Sequence, residues 1–155
     1  MKTLLSLLTI LMLSVASMAQ EGEDPVQWTQ ELISTGEGEY ELVMKGSIAE
    51  GWHVYSQFTA EGGSLPSEFT YVNAGEEYEL VGGTLESKTQ KAYSEIFEVE
   101  ETFFKKEAIF RQKVRLLNPG LKQIQVELFY QVCKEVCIPK DVVFYFSLDG
   151  EEIIV

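Results

Sequence analysis

Two stretches toward the end of the chain repeat with a period of two. Ile124, Val126, Leu128 and Tyr130 interleave with Gln123, Gln125, Glu127 and Phe129, and Val142, Phe144, Phe146 and Leu148 interleave with Val143, Tyr145 and Ser147. Alternation of this kind places one set of side chains on each face of a strand. Tyr40, Leu42 and Met44, set against Glu39, Glu41 and Lys45, predict a further half-buried strand. Val26 to Ile33 carries β-forming residues and is broken by Thr35-Gly-Glu-Gly38. Glu50-Gly51 turns into Trp52-His-Val-Tyr55, and Phe69 with Tyr71 predicts a strand that follows Pro66 and closes at Asn73-Ala-Gly75. Tyr78 to Val81 reads as a short strand ended by Gly82-Gly83, and Glu86 to Ser94, polar and without period, reads as a loop. Apolar content resumes at Ile96, Phe97 and Val99 and again over Thr102 to Phe104. Ala108 to Leu117 is a strand whose charged positions would also suit a short helix, and Asn118-Pro-Gly120 is a turn. Short strands between turn signals, with no sustained helical period, predict an all-β protein, an immunoglobulin-like sandwich in a single domain.

The start of the chain is of another kind. Met1-Lys2, an apolar run from Leu4 to Val15 and then Ala16-Ser-Met-Ala19 have the parts of a secretory signal peptide, with cleavage expected after Ala19. The run falls short of the roughly 20 residues a spanning helix needs, and no cysteine follows it to accept a lipid. The division is therefore 1–19 leader and 20–155 exported domain, opening on a polar arm, Glu21 to Pro25, expected to fray. The net charge of −13 argues against nucleic acid or an anionic membrane as partner, since both reward lysine and arginine. No later segment is apolar for long enough to insert stably in a bilayer after the leader is removed.

The chain has two cysteines, Cys133 and Cys137, and they stand between the two best-patterned strands. Four extended residues span roughly 13 Å, whereas disulfide-bonded Cα atoms lie within about 7 Å, so a bond between them requires the chain to turn. Ile138-Pro139 lacks an amide to continue a ladder, which predicts an antiparallel pair with both cysteines in its connecting loop. Three roles are open to them. A structural bridge is common in exported proteins, but a ring of about five residues contributes only about 2 kcal/mol by chain entropy. A metal site would draw on His53 and, if the fold brought it close, Met44, yet closed zinc sites take four ligands. Redox exchange needs two neighbouring thiols in an accessible loop. Lys134 and Lys140 would favour a thiolate there, while Glu135 and Asp141 would oppose it.

Three segments carry a family resemblance. Tyr130-Gln-Val-Cys133 with Cys137-Ile-Pro139, Gly51-Trp-His-Val-Tyr55, and Tyr93-Ser-Glu-Ile-Phe97 together resemble the N-terminal periplasmic domain of the thiol:disulfide interchange protein DsbD. The resemblance implies an immunoglobulin-like sandwich and a thiol-disulfide interchange component, a protein-disulfide reductase whose only redox group is its own disulfide, with no separate cofactor or metal. It implies that Cys137 forms the mixed disulfide and Cys133 resolves it, with His53, Tyr55, Tyr93, Tyr130 and Pro139 lining the site. The family's partners are thioredoxin-like redox proteins and a membrane electron-transfer domain, here expected on separate chains, and its address is the periplasm. Core packing is the competing role for Tyr55 and the favoured one for Trp52. The spacer Lys134-Glu-Val136 is shorter than in well-known members. The stretch Ser87 to Lys91, which matches the family's cap loop, has no aromatic residue before Tyr93, the substitute candidate.

Overall fold

The computed structural model describes residues 24–149; the predicted leader and most of the polar arm lie outside them. The described part of the arm is tied down, because Asp24 accepts from the Val26 amide at 3.0 Å and pairs with Lys140 at 2.6 Å. Ten strands follow: β1 (Val26–Gly36), β2 (Glu39–Ile48), β3 (His53–Tyr55), β4 (Glu68–Tyr71), β5 (Tyr78–Glu86), β6 (Gln90–Ser94), β7 (Val99–Phe104), β8 (Glu107–Leu116), β9 (Gln123–Cys133) and β10 (Cys137–Ser147). They form two antiparallel sheets, one ordered β1-β2-β8-β5 and the other β10-β9-β3-β7-β6, with β4 also paired to β9. Among the described residues there is no helix. The all-β, immunoglobulin-like sandwich expected from the pattern is the observed fold.

Facing rows of alternating residues make the core. Ile124, Val126, Leu128, Tyr130 and Val132 of β9 are all buried, as are Phe144 and Phe146 of β10, and they meet Leu42 and Met44 of β2 and Phe110 and Val114 of β8. Each such side chain contributes about 1.5–3 kcal/mol on leaving water. Burial at every second position from Ala108 to Val114 settles β8 as a strand, since a helix would bury every third or fourth residue. Gln112 interrupts that apolar row without penalty. Its amide accepts from Thr84 at 2.9 Å and donates to the Gly82 and Lys113 carbonyls at 3.2 and 2.8 Å, so no buried polar atom is left unpaired there.

Three expectations are corrected. Gly82-Gly83 does not end the fifth strand: β5 runs on to Glu86 through a register shift between Val81 and Leu85. Gly82 takes a φ of +74° there, the backbone freedom a bulge requires. The segment from Glu86 to Ser94 is not all loop, because Gln90–Ser94 forms β6 on β7. As a sheet edge with nearly every side chain exposed, it has no buried face to impose a period. Finally, the cysteines are not inside the hairpin loop. The ladder runs up to Cys133 opposite Cys137 and includes Pro139 opposite Gln131. The cysteine Cα atoms are 4.1 Å apart, the short spacing of a non-hydrogen-bonded pair. Pro139 shares that parity on the outer strand, so its missing amide faces away from β9 and costs the ladder nothing.

Candidate functional site

The register decides which side chains meet. Cys133 pairs with His53 on one side and Cys137 on the other, and Tyr55 pairs with Phe103. By alternation, Gln131, Cys133, Cys137, Pro139, His53, Tyr55, Glu101 and Phe103 share the outer face of the larger sheet. Tyr130 and Val132 point the other way, into the core.

Cys133 and Cys137 are joined in a disulfide, and their surroundings differ. Cys133 is 4% exposed and packs with Tyr55 and Phe103, whereas Cys137 is exposed at the first position of the edge strand. His53 stands against Phe103 edge-on, with ring centroids 4.8 Å apart, and its Nδ1 lies 3.3 Å from the Cys133 carbonyl. A carbonyl only accepts, so that contact keeps the proton on Nδ1. Burial pushes the His53 pKa below its ordinary 6.5; the bond to Cys133 and the charge of Glu101 oppose the shift, and Lys105 adds to it. Burial likewise raises the Tyr55 hydroxyl above 10.0, against a hydrogen bond with Ser64 and with help from Glu101. Both groups are therefore held neutral beside the bridge near pH 7.

The wall over this face comes from the segment joining β3 to β4. Ser64 donates its amide to the Glu101 carboxylate at 2.7 Å, Leu65 donates to the Gln131 side chain at 2.8 Å, and the Ser67 hydroxyl donates to the Tyr55 carbonyl at 2.6 Å. Those bonds lay the segment across β7, β3 and β9. Gly63 allows the close approach: a Cβ there would sit 2.8 Å from Glu101 Oε1 and 2.9 Å from Val99 Cγ2. Sequence reasoning missed this segment, Phe103 and Glu101. The signal available was Gly62-Gly63-Ser64, a run that permits tight contact with a neighbouring strand.

Of the expected lining residues, His53 and Tyr55 adjoin Cys133, and Pro139 lies two positions from Cys137 on the same face. Two are elsewhere, and their lining role is corrected. Tyr130 is 1% exposed in the core, edge-on to Trp28 at 5.3 Å, its hydroxyl pKa pushed by burial up to about 12. Tyr93 is exposed on β6 opposite Glu100, on the face away from the cysteines and three strand spacings from β9, about 14 Å. It does not cap the bridge. Trp52 packs at the margin of the core, in the role expected for it. Met44 is buried in the core, and among the described residues no group of three or more His, Cys, Asp or Glu is placed to hold a metal ion.

The cysteines occupy facing rungs of a ladder that continues to Gln123 and Ser147, so the two strands are paired well beyond the bridge.

The family model for the N-terminal domain of the thiol:disulfide interchange protein DsbD matches residues 24–148. No curated protein matches the sequence. Among solved structures, the N-terminal periplasmic domain of ScsB from Proteus mirabilis aligns with a TM-score of 0.61 at 17% identity, over 82% of this chain and 48% of that one. The chain thus spans about half the length of that structure. The reduced N-terminal domain of DsbD from Neisseria meningitidis is 23% identical over 77% of this chain and 84% of its own, with a TM-score of 0.49. A complex of the DsbD and PilB N-terminal domains from the same organism aligns at 19% identity, 80% and 84% coverage and a TM-score of 0.45. With a family match running from the first described residue almost to the last, this chain belongs to the DsbD N-terminal domain family.

Proposed function

We propose that this protein is a thiol-disulfide exchange domain that cycles the Cys133–Cys137 bridge and passes two electrons between thioredoxin-like proteins. One observation carries the reading: the two sulfurs are unequal, Cys137 exposed on an edge strand and Cys133 buried against Tyr55 and Phe103. An incoming thiolate reaches Cys137 Sγ, forms a mixed disulfide there and releases Cys133 as the leaving thiolate, which takes up a proton. A second donor thiolate then attacks the donor sulfur of that mixed disulfide, leaving the donor oxidised and both cysteines reduced. In the forward half-cycle the Cys137 thiolate attacks an acceptor disulfide, and Cys133 resolves the mixed disulfide by attack on Cys137 Sγ. The acceptor leaves as a dithiol and the bridge reforms. No cofactor enters either half-cycle.

The donor in this reading is a thioredoxin-like protein supplied by a membrane electron-transfer protein on a separate chain, in keeping with the family. Residues 1–19 are the leader, 20–155 the exported domain, and the compartment is the periplasm, the compartment named for the ScsB domain. The test is thiol trapping in glutathione redox buffers. Cys133→Ala accumulates a mixed disulfide through Cys137, Cys137→Ala accumulates far less, and in the reduced wild type iodoacetamide modifies Cys137 first. Trapping through neither cysteine would overturn the reading in favour of a binding module with a structural loop disulfide.

A further inference from the structure

The bridge is flanked by a groove of about 690 Å³ whose lining includes Glu50, Gly51, Trp52, His53, Lys105 and Lys106. Two of its lining residues touch the cysteine hairpin. His53 contacts the Cys133 carbonyl at 3.3 Å, and the Lys134 side chain lies over Gly51, its Cε 3.0 Å from where a Cβ would stand. We infer that this groove receives an acidic segment of the redox partner, the carboxylates lying against Lys105, Lys106 and Lys134 while the partner's cysteine meets Cys137. The inference rests on the exchange function proposed above.

Charge is the first argument. The chain holds 25 acidic residues against 12 lysines and arginines, and the acidic surface already satisfies much of its cationic complement. Lys45, Lys91, Arg111, Arg115 and Lys140 all form ion pairs. Among the described residues, six lysines form none: Lys88, Lys105, Lys106, Lys113, Lys122 and Lys134. Three of them, Lys105, Lys106 and Lys134, gather at the groove, where the carboxylates nearby are Glu50, Glu101 beside His53, Glu135 next to Lys134, and Glu107, which Lys45 holds at 2.6 Å. A basic partner would find attraction over much of this protein and repulsion here. An acidic one finds the reverse, so the cluster steers carboxylates to the bridge.

Backbone strain is the second argument. Lys106 has a φ of 66°, and the Glu107 amide donates to the Lys105 carbonyl at 2.7 Å, which makes a γ-turn of the strained, positive-φ kind. Glycine or asparagine fills such a turn at lower cost. Both lysines are exposed, and Lys105 gains only a cation–π contact with Phe103 at 5.6 Å. Packing does not explain lysine at Lys106, a strain shared by exposed Glu98 at φ 59°; at Lys106 the turn sets both lysines on the groove.

The test compares two thiol peptides, Glu-Glu-Cys-Glu-Glu and Lys-Lys-Cys-Lys-Lys, as reductants of the oxidised protein at low salt. The acidic peptide is expected to open the bridge about tenfold faster, the low end of electrostatic steering, despite the protein's charge of −13. The ratio should fall toward one in Lys105→Gln/Lys106→Gln and in 0.5 M NaCl, and should persist in Lys113→Gln/Lys122→Gln. A faster basic peptide, or a ratio that survives the Lys105/Lys106 change, overturns the inference. So does loss of the preference in inorganic phosphate at matched ionic strength, which would make the groove a phosphate site. If neither peptide nor dithiothreitol opens the bridge, the exchange function fails by itself, and cysteine-free hexaglutamate then decides the groove. Shifts in the His53 and Trp52 NMR signals that hexalysine does not produce uphold it, and their absence overturns it.

Discussion

Reducing the Cys133–Cys137 bridge should lower the stability of the folded domain by about 2 kcal/mol and leave both sheets in place. The magnitude follows from how little chain the bond encloses. Its ends are four residues apart, and closing a ring of about five residues removes roughly 7 cal/mol/K from the unfolded chain, or about 2 kcal/mol at 25 °C. The folded side adds little. The freed Cys133 thiol stays in its pocket against Tyr55 and Phe103, where a neutral thiol behaves as a small apolar group, and Cys137 is solvated. Registered pairing, the buried row from Ile124 to Val132 and buried Phe144 and Phe146 continue to hold the hairpin. Urea unfolding followed by tryptophan fluorescence, in the oxidised and dithiothreitol-reduced protein, reads the difference directly. The midpoint should fall with an unchanged slope, because the surface exposed on unfolding is nearly the same. The melting temperature should drop by about 7 °C, given about 2.1 cal/mol/K of unfolding entropy per residue over roughly 130 residues. Loss of β circular dichroism on reduction, or a cost above about 4 kcal/mol, would refute the claim that the sandwich stands independently of the bond.

Two further outcomes test the surroundings of the bridge. His53 is the chain's one histidine, and burial holds its pKa below 6.5. The unfolded chain therefore takes up a proton first as pH falls, so this contribution to stability is complete above pH 6.5 and is lost as pH drops through 6.5 toward the folded pKa. NMR titration should place the ring's midpoint below 6.5, and His53→Gln should flatten that part of the stability profile; a midpoint above 6.5 would contradict the burial described. Gly63→Ala should destabilise by about 1–3 kcal/mol, the usual range for a forced contact, because its new Cβ would displace a carboxylate that the Ser64 amide holds at 2.7 Å. Urea midpoints measure the loss, and faster exchange of the Ser64 amide localises it.

Period-two patterns were sufficient where a strand buries one face, which is why β2, β9 and β10 were legible from their residues alone, while β8, whose charges also suited a short helix, was settled by its observed burial. Solvation of the single core sets that period, and any fold that buries those rows must respect it. Edge strand β6 left no such mark, and the bulge at Gly82 resembled an ending because glycine serves both. The cysteine pair was likewise readable, and the closeness of His53 and Tyr55 to it was readable through family resemblance. Tertiary structure alone decided the parity that sends Tyr130 inward while Cys133 faces out. It also decided the strand order that carries Tyr93 some three strands away, and the contacts that fold Ser64 and Leu65 over Glu101 and Gln131. A sequence specifies which residues alternate, but the face each set takes, and what distant segment comes to lie on it, depend on the register of strands far apart in the chain.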